Sequence, residues 1–168
     1  TVAPLPPFSE RLAKAAILSG LLAAPISLGL QGADALGLGP AEMLGTSVWH
    51  AGFSTSYGWT AVGCLVALAL AGSSLSTRGG WSSALAITAL LAAPLSLVMS
   101  GHASAAEPQW ITRSAVFLHV AGIMFWIGAL PPLAGLLRKG TQDASVPLAR
   151  FSAIIPYPVA AILVSGIA

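Results

Sequence analysis

The chain has 168 residues, of which 56% are hydrophobic and only 7% charged. A soluble domain carries about 25% charged residues, so this composition excludes a globule with a wetted surface and makes lipid the solvent. A formal charge of +2 without any basic run excludes a nucleic-acid partner, and a lone cysteine, Cys64, excludes an intrachain disulfide.

Residues 1–10 read as a short N-terminal segment. Thr1 to Phe8 is proline-rich and lacks the basic n-region of a secretory signal. The chain opens on Thr1 without a Met, which is expected of a processed chain or of a piece of a longer one. The remainder, 11–168, reads as one all-α transmembrane domain of about five spans. The predicted spans are 12–30, kinked at Pro25; 57–75; 81–100, containing Pro94; 114–137; and 151–168, still apolar where the sequence stops. Each has roughly the apolar length that crosses a bilayer, about 20 residues. Prolines are tolerated within such spans because neighbouring groups re-satisfy the freed carbonyls.

Basic residues predict the topology. Arg11, Lys14, Arg78, Arg138, Lys139 and Arg150 fall on one side if the spans alternate, and Arg113 falls on the other. Positive charge marks the cytoplasmic side, so the N-terminus is expected inside and the loops 31–56 and 101–113 outside. Tyr57, Trp59 and Trp110 then lie at the outer interface and Trp81 at the inner one, as in an aromatic belt.

This orientation puts every histidine in the outer half. His50 is in the first outer loop, His102 at the outer end of the third span, and His119 inside the fourth. At 1.5 Å per residue, His119 lies roughly 9 Å beyond Arg113. An ionisable side chain at that depth is costly, and by default it marks function. Met99 precedes His102 by three residues, on the same helical face. Imidazole and thioether suit copper, above all Cu(I). The candidate metal ligands are therefore His102, His119, Met99 and His50. Short loops make consecutive spans neighbours, so His102 and Met99 are expected to face His119. His119, Gly122, Ile123 and Trp126 form one stripe. There Gly122 would admit a neighbouring helix and Trp126 would pack near the site.

These residues also carry a resemblance. Leu118-His119, then Trp126-Ile127-Gly128-Ala129-Leu130 and Pro132-Leu133, resemble the membrane domain of the CopD-type copper resistance family. Gly101-His102-Ala103 resembles its second histidine motif, Arg150-Phe151-Ser152 its motif opening the next span, and Thr55-Ser56-Tyr57-Gly58 its entry to an earlier span. The resemblance covers most of the chain after about Arg11. It implies a bacterial inner-membrane protein that handles copper, often with a CopC-type periplasmic copper carrier, and it implies copper-site roles for His102 and His119. The family generally has more spans, about eight, so part of the bundle is expected to be absent from this chain.

Other readings stay open. His102 and His119 would also suit the two axial positions of a haem b in an electron-transfer protein. A non-catalytic assembly subunit is a third reading. His119 would alternatively hydrogen-bond a backbone carbonyl or a Ser/Thr across helices, and Met99, Met124 and Trp126 would alternatively fill space. No nucleophile elbow, P-loop, His-Glu-x-x-His or Cys-x-x-Cys is present, and a non-enzymatic role is expected.

Overall fold

The computed structural model describes residues 6–100, 107–138 and 145–167. Among them the chain is all-helical: α1 (Pro7–Ala35), a 3-10 turn (Pro40–Leu44), α2 (Thr46–Ser54), α3 (Ser56–Ser76), α4 (Gly80–Leu97), α5 (Gln109–Arg138), α6 (Ser145–Ile154) and α7 (Pro156–Ser165). Five stretches are long and apolar enough to cross a membrane: Pro7–Ala35, Ser56–Ser76, Gly80–Leu97, Gln109–Leu137 and Ser145–Ser165, the last made of α6 and α7 end to end. The protein is a multi-pass membrane protein. In lipid a spanning segment must satisfy its own backbone polar groups, and a helix does so within itself.

Local chemistry sets the helix ends. Pro7 occupies the first turn of α1, where a missing N–H costs nothing. At its other end Gly37 adopts φ +66°, and Leu38 N–H donates to the Ala33 carbonyl while Gly37 N–H donates to Asp34. This αL closure satisfies carbonyls that the helix leaves unpaired. Gly79, at φ +72°, turns the chain between α3 and α4. Glu10 and Lys14 form an i, i+4 ion pair of 2.6 Å on the exposed start of α1.

Helix bounds depart from the apolar segments in several places: α1 already starts at Pro7, α4 stops at Leu97 and the fifth span starts at Ser145. α1 continues to Ala35 because its last turns, polar in part, pack on α2. The fourth span starts at Gln109, since the polar residues preceding Ser114 complete its first turn. The outer segment 31–56, expected as a loop, contains the 3-10 turn and α2.

The helices pack as a chain of neighbours. α3 and α4 form the most extensive pair, an antiparallel hairpin. α1 lies on α3, α2 bridges α1 and α3, α5 lies on α4, and α7 lies on α5. The C-terminal end of α5 also meets the start of α1, where a Cβ at Gly135 would lie 3.3 Å from Pro6 Cβ. Small residues make these contacts: Ala33, Ala61, Ala67 and Ala89 are buried, whereas Leu18, Leu22, Ile26, Ile87, Leu91 and Leu95 are exposed. Lipid tails are as apolar as leucine, so burial does not sort large from small side chains; close approach of backbones does.

Gly32 shows the constraint most directly. A Cβ there would overlap the Val48 carbonyl oxygen of α2 and lie 2.9 Å from Gly52 N. Backbone cannot swing aside as a side chain can. Gly32→Ala is expected to lower stability by about 1–3 kcal/mol, the usual cost of overpacking. Gly72→Ala, whose Cβ would only touch Ile17 Cγ2 at 3.8 Å, is expected to be neutral or stabilising, as judged by thermal unfolding in the same detergent.

Candidate functional site

α5 carries His119 ten residues after its start and turns the ring toward α7. The imidazole is half-buried. Its Nδ1 lies 3.2 Å from the Ile162 carbonyl oxygen and 3.2 Å from Ser165 Oγ. Ser165 Oγ in turn donates to the Ile162 carbonyl at 3.1 Å. His119 Nε2 has no hydrogen bond to any described residue.

Gly122 makes this meeting possible. It follows His119 by three residues and therefore shares its helix face. A Cβ at Gly122 would lie 2.8 Å from Ile162 Cγ1 and 3.1 Å from the Pro158 carbonyl oxygen. From the facing helix, the Cβ position of Gly166 lies 3.7 Å from His119 Cε1. Gly122 thus lets α5 and α7 come close enough for the ring to reach backbone. The helix admitted by Gly122 is the fifth span, and the ring that shares its face engages that span.

Met99, His50 and Trp126 take no part in these hydrogen bonds. His102 lies outside the described residues, so its placement relative to His119 is not part of the geometry. Met99 follows the end of α4 with 49% of its surface exposed, its N–H donating to the Ser96 carbonyl at 3.2 Å. His50 is exposed on α2, where its carbonyl accepts the Ser54 hydroxyl at 2.8 Å. Trp126 keeps 43% of its surface uncovered on α5. Among the described residues no group of three or more His, Cys, Asp and Glu side chains could hold a metal ion. Among them His119 is a single anchored imidazole.

A second polar cluster joins the start of α3 to the end of α4. Thr60, 2% exposed, donates through Oγ1 to the Ser96 carbonyl at 3.0 Å, and this oxygen lies 2.8 Å from Ser100 Oγ. Cys64 Sγ is 3.2 Å from Ser96 Oγ, whose own proton goes to the Ala93 carbonyl at 2.7 Å. The thiol is thus the donor to Ser96. These bonds fix the chain two residues before His102. Sequence reasoning missed this cluster, although its signal was there: 60 and 64 on one span, 96 and 100 on the next, are two i, i+4 pairs of small polar residues.

Two hollows flank these elements. One, of about 570 Å³, runs along α1, α3 and α4 between alanine and glycine walls; Thr60 and Cys64 line it, and Met124 of α5 reaches into it. The other, of about 250 Å³, lies between α5 and α7 and is bordered by Trp110, Ser114, Leu118 and Ser165. Ser165 therefore stands between that hollow and the His119 ring. Met124 and His119 are five residues apart, about 140° around the helix at 3.6 residues per turn. Their side chains serve different faces of α5.

No family model matches the chain, and no curated protein or solved structure matches it.

Gly122→Val would drive its branched side chain into Ile162 and the Pro158 carbonyl. It is expected to lower thermal stability and to raise the rate at which diethyl pyrocarbonate modifies His119, read by site-resolved mass spectrometry. Gly128→Val, at a position where a Cβ meets nothing within 4 Å, is expected to leave that rate unchanged.

Proposed function

We propose that this chain is a copper-handling protein of a bacterial inner membrane, taking copper at the periplasmic side for transport or delivery. One observation carries the reading: a spanning helix holds an imidazole by one ring nitrogen only. An ionisable group kept at that depth and held in a fixed pose suits a ligand better than a space-filling role. The copper resistance resemblance of Leu118-His119 and Trp126-Ile127-Gly128 supports the same reading, and it names His102 as the second nitrogen donor.

In this reading the N-terminus is cytoplasmic, which the bias of Arg11, Lys14, Arg78, Arg138, Lys139 and Arg150 to one side supports. His119 and His102 then meet copper arriving from outside, with Met99 and His50 as further donors on that side. A CopC-type periplasmic carrier is the natural source of the ion. A small donor set near the outer surface favours exchange, because a conducted ion must bind well enough to enter and weakly enough to leave. The Thr60–Ser96–Ser100 bonds would hold the segment that leads into His102.

Cu(I) binding and uptake by proteoliposomes test the proposal. His119→Ala combined with His102→Ala is expected to abolish saturable binding; unchanged binding and uptake would sink the reading. A Soret band in the purified protein, lost in the same double variant, would instead establish haem ligation. Orientation is checked separately in a Cys64→Ser background. A cysteine replacing Glu107 is expected to react with a membrane-impermeant thiol reagent added to spheroplasts, whereas one replacing Arg78 reacts only after lysis.

A further inference from the structure

We infer that Ser165 is a positioning residue that takes the Nδ1 proton of His119 in a relay to the Ile162 carbonyl, and that this leaves Nε2 as the atom that meets copper. The inference deepens the proposed function and rests on it only for the identity of the ion.

The argument is one of proton counting. A carbonyl oxygen offers two lone pairs and no proton, and a hydroxyl offers one proton and two lone pairs. The Ile162 carbonyl already accepts Gly166 N–H at 3.0 Å and the Ser165 hydroxyl at 3.1 Å. Both of its lone pairs are thereby engaged. His119 Nδ1 lies 3.2 Å from that same oxygen and 3.2 Å from Ser165 Oγ.

If Nδ1 were unprotonated, Ser165 would have to turn its proton onto the ring. The Nδ1 lone pair would then face the Ile162 oxygen with no hydrogen between them. If Nδ1 carries the proton, every group is served. Nδ1–H donates to Ser165 Oγ, Ser165 donates to Ile162, and Gly166 N–H fills the second lone pair. The hydroxyl is the joint of this relay, since the carbonyl has no free lone pair for the ring. The neutral ring then presents its remaining lone pair at Nε2, which has no hydrogen bond to any described residue. Ligating histidines commonly use one nitrogen in this way while the other donates to a carbonyl or similar acceptor. Here the serine supplied by α7 stands between ring and carbonyl.

The test reads the tautomer itself. Metal-free protein with 15N-labelled histidine is placed in lipid nanodiscs at about pH 8.5, above the ordinary imidazole value of about 6.5. Ring 15N–1H correlations then report which nitrogen is protonated, with His119 assigned by its loss in His119→Gln. The wild type is expected to show Nδ1–H and a bare Nε2. Ser165→Ala is expected to keep Nδ1–H, now given straight to the freed Ile162 lone pair and therefore with a shifted resonance, and Ser165→Thr, which keeps the hydroxyl, is expected to keep the wild-type shift. An Nε2–H wild type overturns the inference without any variant, and so does an Nδ1–H resonance that Ser165→Ala leaves where it stands in the wild type.

Cu(I) titration forms a second arm. Ser165→Ala is expected to weaken binding by about 10-fold, the lower end of the cost of losing such a partner, because the Ile162 carbonyl takes over as acceptor, and Ser165→Thr by far less. Should the tautomers behave as expected while wild type and His119→Ala bind Cu(I) equally, the copper reading fails and the positioning role stands.

Discussion

Everything in this bundle depends on how closely two helix backbones can approach. Lipid gives helices no hydrophobic reason to associate, so van der Waals fit and interhelical hydrogen bonds must hold them. Glycine and alanine permit that approach, and the chain places them at each contact. Gly32 meets the backbone of α2, Gly63 would put a Cβ 2.5 Å from Ser96 Cβ, and Gly122 meets Ile162 and the Pro158 carbonyl. Once the backbones are that near, short polar side chains reach across. Thr60 reaches the Ser96 carbonyl, Ser82 reaches the Ser74 carbonyl at 2.8 Å, and His119 reaches α7. Polar bonds between the spans follow from the small residues.

The histidine is a case of the same rule with a different outcome. A threonine or serine that crosses to a neighbour uses its single proton and is finished. An imidazole has two nitrogens, and one is enough for the crossing. The hydrogen bond that makes His119 tolerable in a membrane is also what leaves the other nitrogen to do something else. Structural satisfaction and readiness to bind are therefore compatible in one ring, and they need not be weighed as rivals.

Much of the fold is legible in the sequence, because apolar length and the scarcity of charge admit few alternatives to a helical bundle. All five spans are found near their expected positions. Less was legible where the pattern carries no depth or direction. α2 lies in a segment too short and too mixed to stand out, and it is held by Gly32 and Gly52 against α1. The partner of His119 was harder still. A stripe of 119, 122, 123 and 126 says which residues share a face, but periodicity does not name the helix opposite. Adjacency in sequence pointed to the third span, while Gly122 brings the fifth onto that face. His102 lies outside the described residues, so its side of the expected pair rests on the sequence alone.

The last span has a lopsided position: α7 leans on α5, with α6 continuing from it on the cytoplasmic side in the proposed orientation. The grip on His119 is consequently a gauge of where one helix sits. Sliding α7 by a single residue's rise, about 1.5 Å, at right angles to the contacts would stretch each 3.2 Å separation to about 3.5 Å, the edge of a real hydrogen bond. The seating of α7 along its axis and the hydrogen bonds of a half-buried ring are thus the same variable, read at two places.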